Sequence, residues 1–401
     1  MVGTIGQRAS TGPDLGFPPL AKLARKIVFL ADADVFSFSD CRAPFAVAGA
    51  IAREIVAVTG SPARVAELGL KALRTIDFDC SATLRNPAID GLTAWRLARI
   101  LEAENADAIH ALGVKSAVLG ALALKLVNEH RVMVHLPDLG WLEPNLLPSL
   151  YLPSPPKLLS SLLGKPSSFL LVESPQDLNF LRTLGVNAGP RSVVLGGAGI
   201  DPDVYPVLPP SHSDMPIATF IGRTAKSSGL DILMRAFDRV WSRGVHLQLE
   251  LLWRPPLSDG DAFASDEITQ WRLHPGVRNA DGNKDVREIW RHAEICVLPA
   301  MTRQGLPYAL LEAAACGRAL VVTECAGGGS FVRHEIEGLV VPRGDIAALA
   351  DAMARLARDT QLRTRLGEAA RLRVLHGFTR NHVEGAMRAA YASLFARVSS
   401  P

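Results

Sequence analysis

A chain of 401 residues exceeds what most single hydrophobic cores hold, so two or three domains are expected. With 48% hydrophobic and 21% charged residues it has the composition of a folded α/β protein. A net charge of +3 is too weak to predict nucleic-acid binding, which would call for a clustered basic face.

Residues 1–25 read as a loose tail, the first nineteen being rich in Gly, Pro, Ser and Thr without the apolar core of a signal peptide. The run Lys26-Ile27-Val28-Phe29-Leu30-Ala31 predicts a buried first strand. Alternation follows: a helix over 44–53, a strand over 55–59, a short helix over 63–68, a loop over 77–87 and a long amphipathic helix over 91–104. Strands are then expected at 108–111, 132–135 and 169–172, with helices at 116–127 and 175–184. Strand and helix in alternation imply a parallel sheet covered on both faces, a Rossmann-like domain over residues 26–200. Residues 201–216, with Pro202, Pro206, Pro209 and Pro210, read as a linker. The pattern then restarts over 217–380, with strands at 218–223, 247–252, 295–298, 320–323 and 338–341 and helices at 230–241 and 285–292. Helices rich in Ala, Leu and Arg finish the chain, the last over 381–401. Two such domains place a ligand in the cleft between their strand C-termini.

The second domain is organised around Arg303-Gln304-Gly305-Leu306-Pro307-Tyr308-Ala309-Leu310-Leu311-Glu312-Ala313-Ala314-Ala315-Cys316-Gly317. An apolar strand, a glycine–proline turn and a run of helix formers stopped by glycine predict strand, loop and short helix. Pro307 suits the first helical position, and Gly317 suits the left-handed residue past the end. The free N–H groups and positive end of that helix, in front of Gly305 and Leu306, suit a phosphate. Glu312 would lie about 8 Å along the axis from the helix start, at ~1.5 Å per residue, within reach of ribose hydroxyls. Neither domain shows Gly-x-Gly-x-x-Gly between strand and helix, so a nicotinamide site is not expected.

This stretch resembles the signature of the retaining family-4 (group 1) glycosyltransferases, two glutamates separated by seven residues, with Gln304 in the first place and Glu312 in the second. Phe220-Ile221-Gly222-Arg223, Asp285-Val286 with Ala293-Glu294, and Gly338-Leu339-Val340-Val341-Pro342 fall in the family's order, so the likeness is strongest over residues 217–356. Earlier, Leu84-Arg85-Asn86-Pro87, Ala108-Ile109-His110 and Gly197-Ala198-Gly199-Ile200-Asp201 resemble the members that build surface polysaccharides. The resemblance implies an α/β protein of the GT-B fold, two Rossmann-like domains with parallel sheets facing a central cleft and a last helix crossing back to the first domain. It also implies transfer of a sugar, with retention, from a UDP- or GDP-linked donor to a glycan or lipid-linked acceptor, with no metal and no other cofactor.

Gly222 and Arg223 end a strand at the cleft, where a guanidinium can hold a diphosphate by two parallel bonds. The family's lysine before the next glycine is replaced by Ser228, so Lys226 is the nearest candidate for that role. Gly305, Leu306 and Pro307 would bring backbone donors to the sugar and phosphates, Glu312 would hold the ribose, and Gln304 would hold the sugar. Gln304 is neutral and cannot act as a base, yet a retaining enzyme, in which the leaving phosphate takes the acceptor proton, needs a positioning residue there. Beside Arg303 it would also tolerate an acidic sugar. Gln304, Glu312 and His110, the last read as the end of a short strand facing the cleft, are the catalytic candidates, and His135, at the end of the next strand, is a candidate for lining the acceptor side. The loop Asp32-Ala33-Asp34-Val35 lacks glycines and offers no phosphate cradle. Gly327-Gly328-Gly329 lets backbone approach the cleft or simply forms a flexible loop.

Residues 146–163 are apolar with few charges, which reads either as an ordinary packed helix or as a peripheral contact with the inner membrane face. No apolar run approaches the ~20 residues of a membrane span. The five cysteines, Cys41, Cys80, Cys296, Cys316 and Cys325, form no Cys-x-x-Cys pair and read as cytosolic thiols, so the expected location is cytoplasmic. No ligand spacing predicts a metal site. The two departures, Gln304 and Ser228, keep a second reading open: a GT-B protein that binds a nucleotide sugar or a partner enzyme without transfer. A third reading is a sugar-nucleotide epimerase of the same fold.

Overall fold

The computed structural model describes residues 23–31, 42–80, 87–127, 130–143, 153–207, 215–255, 261–280, 285–325 and 327–396. The loop at 32–35, residues 84–86, the first part of the apolar stretch (146–152), Cys41 and most of the tail lie outside them.

The first sheet is built from β1 (Ala24–Ala31), α1 (Arg42–Ile51), β2 (Ala52–Thr59), α2 (Pro62–Ala66), β3 (Leu73–Asp77), α3 (Pro87–Glu104), β4 (Ala108–Leu112), α4 (Val114–Ala123), β5 (Arg131–Leu136), α5 (Pro155–Leu163), β6 (Ser168–Val172), α6 (Pro175–Thr183) and β7 (Ser192–Val194). Its order is β3-β2-β1-β4-β5-β6-β7, all parallel. The central strands are buried on both faces, which is why they read as continuous apolar runs. Helices α3 to α6 cover one face, whereas α1 covers the other.

The second sheet comprises β8 (Ile217–Arg223), α7 (Leu230–Ser242), β9 (Gln248–Arg254), α8 (Ser265–Leu273), β10 (Val277–Asn279), α9 (Val286–His292), β11 (Ile295–Leu298), α10 (Tyr308–Ala315), β12 (Ala319–Thr323), α11 (Gly328–Phe331) and β13 (Gly338–Val341). It is ordered β10-β9-β8-β11-β12-β13, again parallel. Helices α12 (Ile346–Arg358) and α13 (Thr360–Leu375) complete this half. The last helix, α14 (Arg380–Ala396), packs Val383, Met387, Ala390, Tyr391 and Leu394 into the core of the first half, beside Ile27, Phe29 and Phe45.

Several elements depart from expectation. β3, β7, β10 and α8 lie where no element was read, because their residues are half-exposed and carry little apolar pattern, and the short α11 forms where the glycine run suggested a loop. Two helices are placed differently: α1 keeps its expected length but lies two residues earlier and gives way to β2 at Ala52, and α4 starts at Val114 and ends at Ala123, earlier than expected. Over residues 155–163 the apolar stretch forms α5, which buries Leu158, Leu159, Leu162 and Leu163 in the core, so this part is an ordinary packed helix.

Candidate active site

In the second sheet the strand order reverses between β8 and β11, and the crevice beyond the carboxyl ends of such a pair is where α/β sheets receive ligands. β8 delivers Gly222 and Arg223 to that point, and β11 delivers the loop 299–307 that leads into α10. Pro307 is the N-cap of α10, with φ −62 and ψ 130, one place earlier than its expected helical position. Its carbonyl accepts from the Leu310 N–H at 3.0 Å, which is a cap's role. Gly317 follows the C-cap Cys316 with φ +72, the left-handed conformation its type favours. The N–H groups of Gly305, Leu306, Tyr308 and Ala309 find no acceptor among the described residues. Four donors thus remain available at and just before the positive end of a helix.

Glu312 lies just over one turn into α10 and is buried, 6% exposed. The Tyr205 hydroxyl donates to its Oε1 at 2.7 Å and Trp290 Nε1 donates to its Oε2 at 3.2 Å. Burial pushes its carboxyl above the ordinary range, against the pull of these two bonds and of the Arg254 charge. Sequence reasoning missed all three partners. Tyr205 comes from the linker between Pro202 and Pro206, and Trp290 from α9, so the carboxylate is fixed by residues 107 and 22 positions earlier. The signal available was only that a tryptophan, when buried, needs an acceptor for its indole N–H.

Arg223 donates through Nη1 to the Pro255 carbonyl at 3.1 Å, and in register beside it on β9 stands Arg254, so two guanidinium groups share this edge. The turn Lys226–Ser228 packs on the loop after β11. Gly229, with φ +72, has no room for a side chain beneath the Pro299 carbonyl, and the Met301 N–H donates to the Ser227 carbonyl at 2.9 Å. Lys226 is exposed and its amine has no partner among the described residues, whereas the Ser228 hydroxyl turns back to the Ala225 carbonyl at 2.6 Å. The turn and the helix start are therefore brought together through residues 299–301, and Ser228 contributes nothing toward the crevice.

Across the cleft, residues 137–143 after β5 meet residues 303–305 backbone to backbone. A Cβ on Gly305 would fall 3.1 Å from the Pro137 carbonyl carbon and closer still to its oxygen, and one on Gly140 would collide with the Arg303 carbonyl. From the other side, a Cβ on Gly327 would lie 2.5 Å from the Gly305 oxygen and 2.7 Å from that of Gln304. Glycine on both faces of the loop lets three backbone segments touch. Leu306 packs against Gly197. The Gln304 amide makes no hydrogen bond with a described residue.

Arg303 does not stand beside a sugar position. Its guanidinium crosses to the first half, 3.3 Å from Asp177 Oδ1 and stacked 4.1 Å above the Phe180 ring, while its N–H donates to Glu143 at 3.2 Å. The positive charge beside Gln304 is thus paired with a carboxylate of the first half.

His110 requires the larger correction. It is the middle residue of β4, not its end, and is fully buried: its ring stacks on Phe29 at 4.6 Å and Nδ1 lies 2.6 Å from the Tyr391 hydroxyl of α14. Burial and the nearby His135 drive its pKa well below the usual value, which favours the neutral ring, and complete burial keeps it from facing the cleft. His135 sits one residue from the end of β5, with Nε2 3.3 Å from Glu173 Oε1. Burial, with Asp177 and Asp138 nearby, pushes Glu173 up to about 8. No cluster of metal-ligating side chains occurs among the described residues.

With this geometry in view, residues 215–359 match the family model described as Glycosyl transferases group 1. Over 326 residues the chain is 23% identical to the N,N'-diacetylbacillosaminyl-diphospho-undecaprenol alpha-1,3-N-acetylgalactosaminyltransferase of Campylobacter jejuni, covering 77% of this chain and 82% of that one. It is 33% identical over 169 residues to the amylovoran biosynthesis glycosyltransferase AmsK of Erwinia amylovora, 40% of each chain. It spans only 10% of a similar exopolysaccharide phosphotransferase of Streptomyces coelicolor. Among solved structures, Anabaena HepE in complex with UDP and glucose superposes with a TM-score of 0.73 at 17% identity, covering 92% of this chain and all of that one. The lipopolysaccharide outer core galactosyltransferase WaaB superposes with a TM-score of 0.68 at 12% identity, covering 92% and 99%.

Proposed function

Because residues 215–359 match the family model of glycosyl transferases group 1 and the chain has a GT-B fold, we propose that it belongs to that family and transfers a sugar, with retention, from a UDP-linked donor to a lipid-linked glycan acceptor. The observation that carries the reading is the strand-order reversal at β8/β11, beyond which stand the start of α10, with N–H groups that make no hydrogen bond to a described residue, and the strand ends that carry Arg223 and Arg254. Such an array suits a diphosphate and needs no metal to neutralise it. UDP is favoured because the superposed HepE structure holds it, and a lipid-linked acceptor because the Campylobacter relative is named for a diphospho-undecaprenol substrate.

In this reading Glu312 takes the ribose hydroxyls. Its two oxygens offer about four lone-pair directions, of which Tyr205 and Trp290 occupy two. The carboxylate is therefore held in place before the donor arrives and keeps capacity for it. Gln304 orients the sugar, and the leaving phosphate, held by the helix start, takes the acceptor proton on the same face. Retention places no demand for a protein base at position 304, so a glutamine there is consistent with turnover.

Calorimetry with UDP-sugars, followed by measurement of UDP release with an acceptor extract, tests the reading. Binding together with release is expected. Binding without release under any acceptor condition would transfer support to the non-transferring GT-B reading, and conversion of the free nucleotide sugar without acceptor would transfer it to an epimerase.

A further inference from the structure

The residue proposed to hold the sugar is not fixed by its own side chain. The Gln304 amide makes no hydrogen bond with a described residue, so its place is set by its neighbours along the chain, each about 3.8 Å away between Cα atoms. Both neighbours rest on the other half of the molecule. Gly305 lies against the Pro137 carbonyl. Arg303 holds its guanidinium 3.3 Å from Asp177 Oδ1 and 4.1 Å above the Phe180 ring, while its N–H donates to Glu143 Oε1 at 3.2 Å. The groups that receive the guanidinium are set in advance. Asp177 and Phe180, three residues apart on α6, share one face of that helix. The Ser174 hydroxyl donates to Asp177 Oδ2 at 2.6 Å, which leaves Oδ1 for the arginine. With side chains only 21% and 5% exposed, this pair is not a solvated surface contact of little consequence.

We propose that Arg303 is a positioning residue: by clasping Asp177 and Phe180 it fixes the loop so that Gln304 meets the sugar only when the two halves are together. This rests on the role proposed for Gln304 above. The nucleotide part of the donor needs nothing from the first half, because Glu312, Arg223, Arg254 and the start of α10 all belong to the second. A donor on the second half alone would therefore have its ribose and diphosphate held and its sugar unoriented. Pairing of Arg303 with the first half completes the site, so transfer is tied to closure and binding is not. Arginine suits the task because one planar group pairs with a carboxylate along its edge and stacks on a ring with its face. Lysine keeps the charge and loses both the fork and the stack.

The test compares the full-length wild type with R303A, R303K, D177N and R303A/D177N. UDP calorimetry, UDP release with an acceptor extract, thermal unfolding and small-angle scattering in the presence of UDP are measured on each. R303A should lower kcat about 10- to 100-fold through misplacement of Gln304, with the Kd for UDP within about twofold of wild type and a larger radius. R303K should fall between the two. D177N, 126 residues away, should shift kcat in the same direction at unchanged Kd, and the double variant should fall no further than R303A. Wild-type kcat in R303A overturns the proposal. So does a loss matched by weaker UDP binding, since Arg303 would then serve the donor directly, and so do additive effects of R303A and D177N. A lower melting temperature with wild-type turnover per folded molecule makes the contact structural only, which also overturns it. If R303A does not fold, wild-type kcat in both R303K and D177N has the same force. Absence of UDP binding or release in wild type strikes the proposed function instead, and scattering then decides alone: a wild-type radius in R303A overturns the clasp.

Discussion

Replacing Gly305 by alanine adds one methyl group at the seam between the two halves. That carbon would fall 3.1 Å from the Pro137 carbonyl carbon and nearer to its oxygen, inside the 3.0 Å that real Cβ atoms respect. Gly305 is not among the glycines with positive φ, so alanine adopts its backbone conformation without strain and the effect is steric. The clash can be relieved by parting residues 137–143 from residues 303–305, which leaves each core as it was. Overpacking by a methyl costs about 1–3 kcal/mol. If that cost falls on the closed arrangement alone, at 1.36 kcal/mol per tenfold the turnover drops about 5- to 150-fold. The assay is UDP release from a UDP-sugar, with thermal unfolding and small-angle scattering on the same preparation. Expected are a lower kcat, a slightly larger radius and a near-unchanged melting temperature. Turnover equal to wild type would refute the reasoning. So would a large drop in melting temperature at constant radius, because the cost would then lie within one core.

Three further outcomes are expected. His110→Ala opens a cavity against Phe29 and removes a partner of Tyr391, so urea unfolding should show a loss of about 3 kcal/mol while turnover per folded molecule stays near wild type; a fall in kcat at unchanged midpoint would restore a catalytic role. Tyr205→Phe removes one of two donors to a buried carboxylate and should weaken UDP binding about tenfold by calorimetry; unaltered affinity would mean that Trp290 alone fixes Glu312. Glu173 has its pKa raised to about 8 in the folded chain, so folding takes up a proton between the ordinary carboxylate range and pH 8 and stability falls as pH rises through that window. Glu173→Gln should flatten that slope in urea titrations at several pH values, and an unaltered slope would assign it to another group.

Much of the architecture was legible because parallel strands buried on both faces must be apolar throughout: β1, β4, β6, β11 and β12 announce themselves. Edge strands carry no such obligation. β3 and β10 are half-exposed, and their sequences, Leu-Arg-Thr-Ile-Asp and Val-Arg-Asn, are as polar as loops. The helix start at α10 was legible for a local reason, since proline before and glycine after a helix are chain-conformation requirements. What Glu312 touches was not, because Tyr205 and Trp290 reach it only after the linker and α9 have folded around it. His110 shows the same limit. The pattern places it in a strand, but only the docking of α14, 281 residues later, shows that its ring belongs to a core.

The chain passes between the two halves twice, and the two crossings are stitched together. The Ile200 N–H donates to the Phe378 carbonyl at 3.0 Å, the Arg380 N–H donates to the Ile200 carbonyl at 2.8 Å, and Asp201 pairs with Arg380 at 3.3 Å. Two separate tethers would let the halves shear, twist and swing independently. Crossings bound at one place act as a single pin, so swinging keeps these bonds and the other motions break them. A swing about that pin would bring Gly140 and Gly305 back to the same opposing carbonyls, whereas a slide of one half past the other would not.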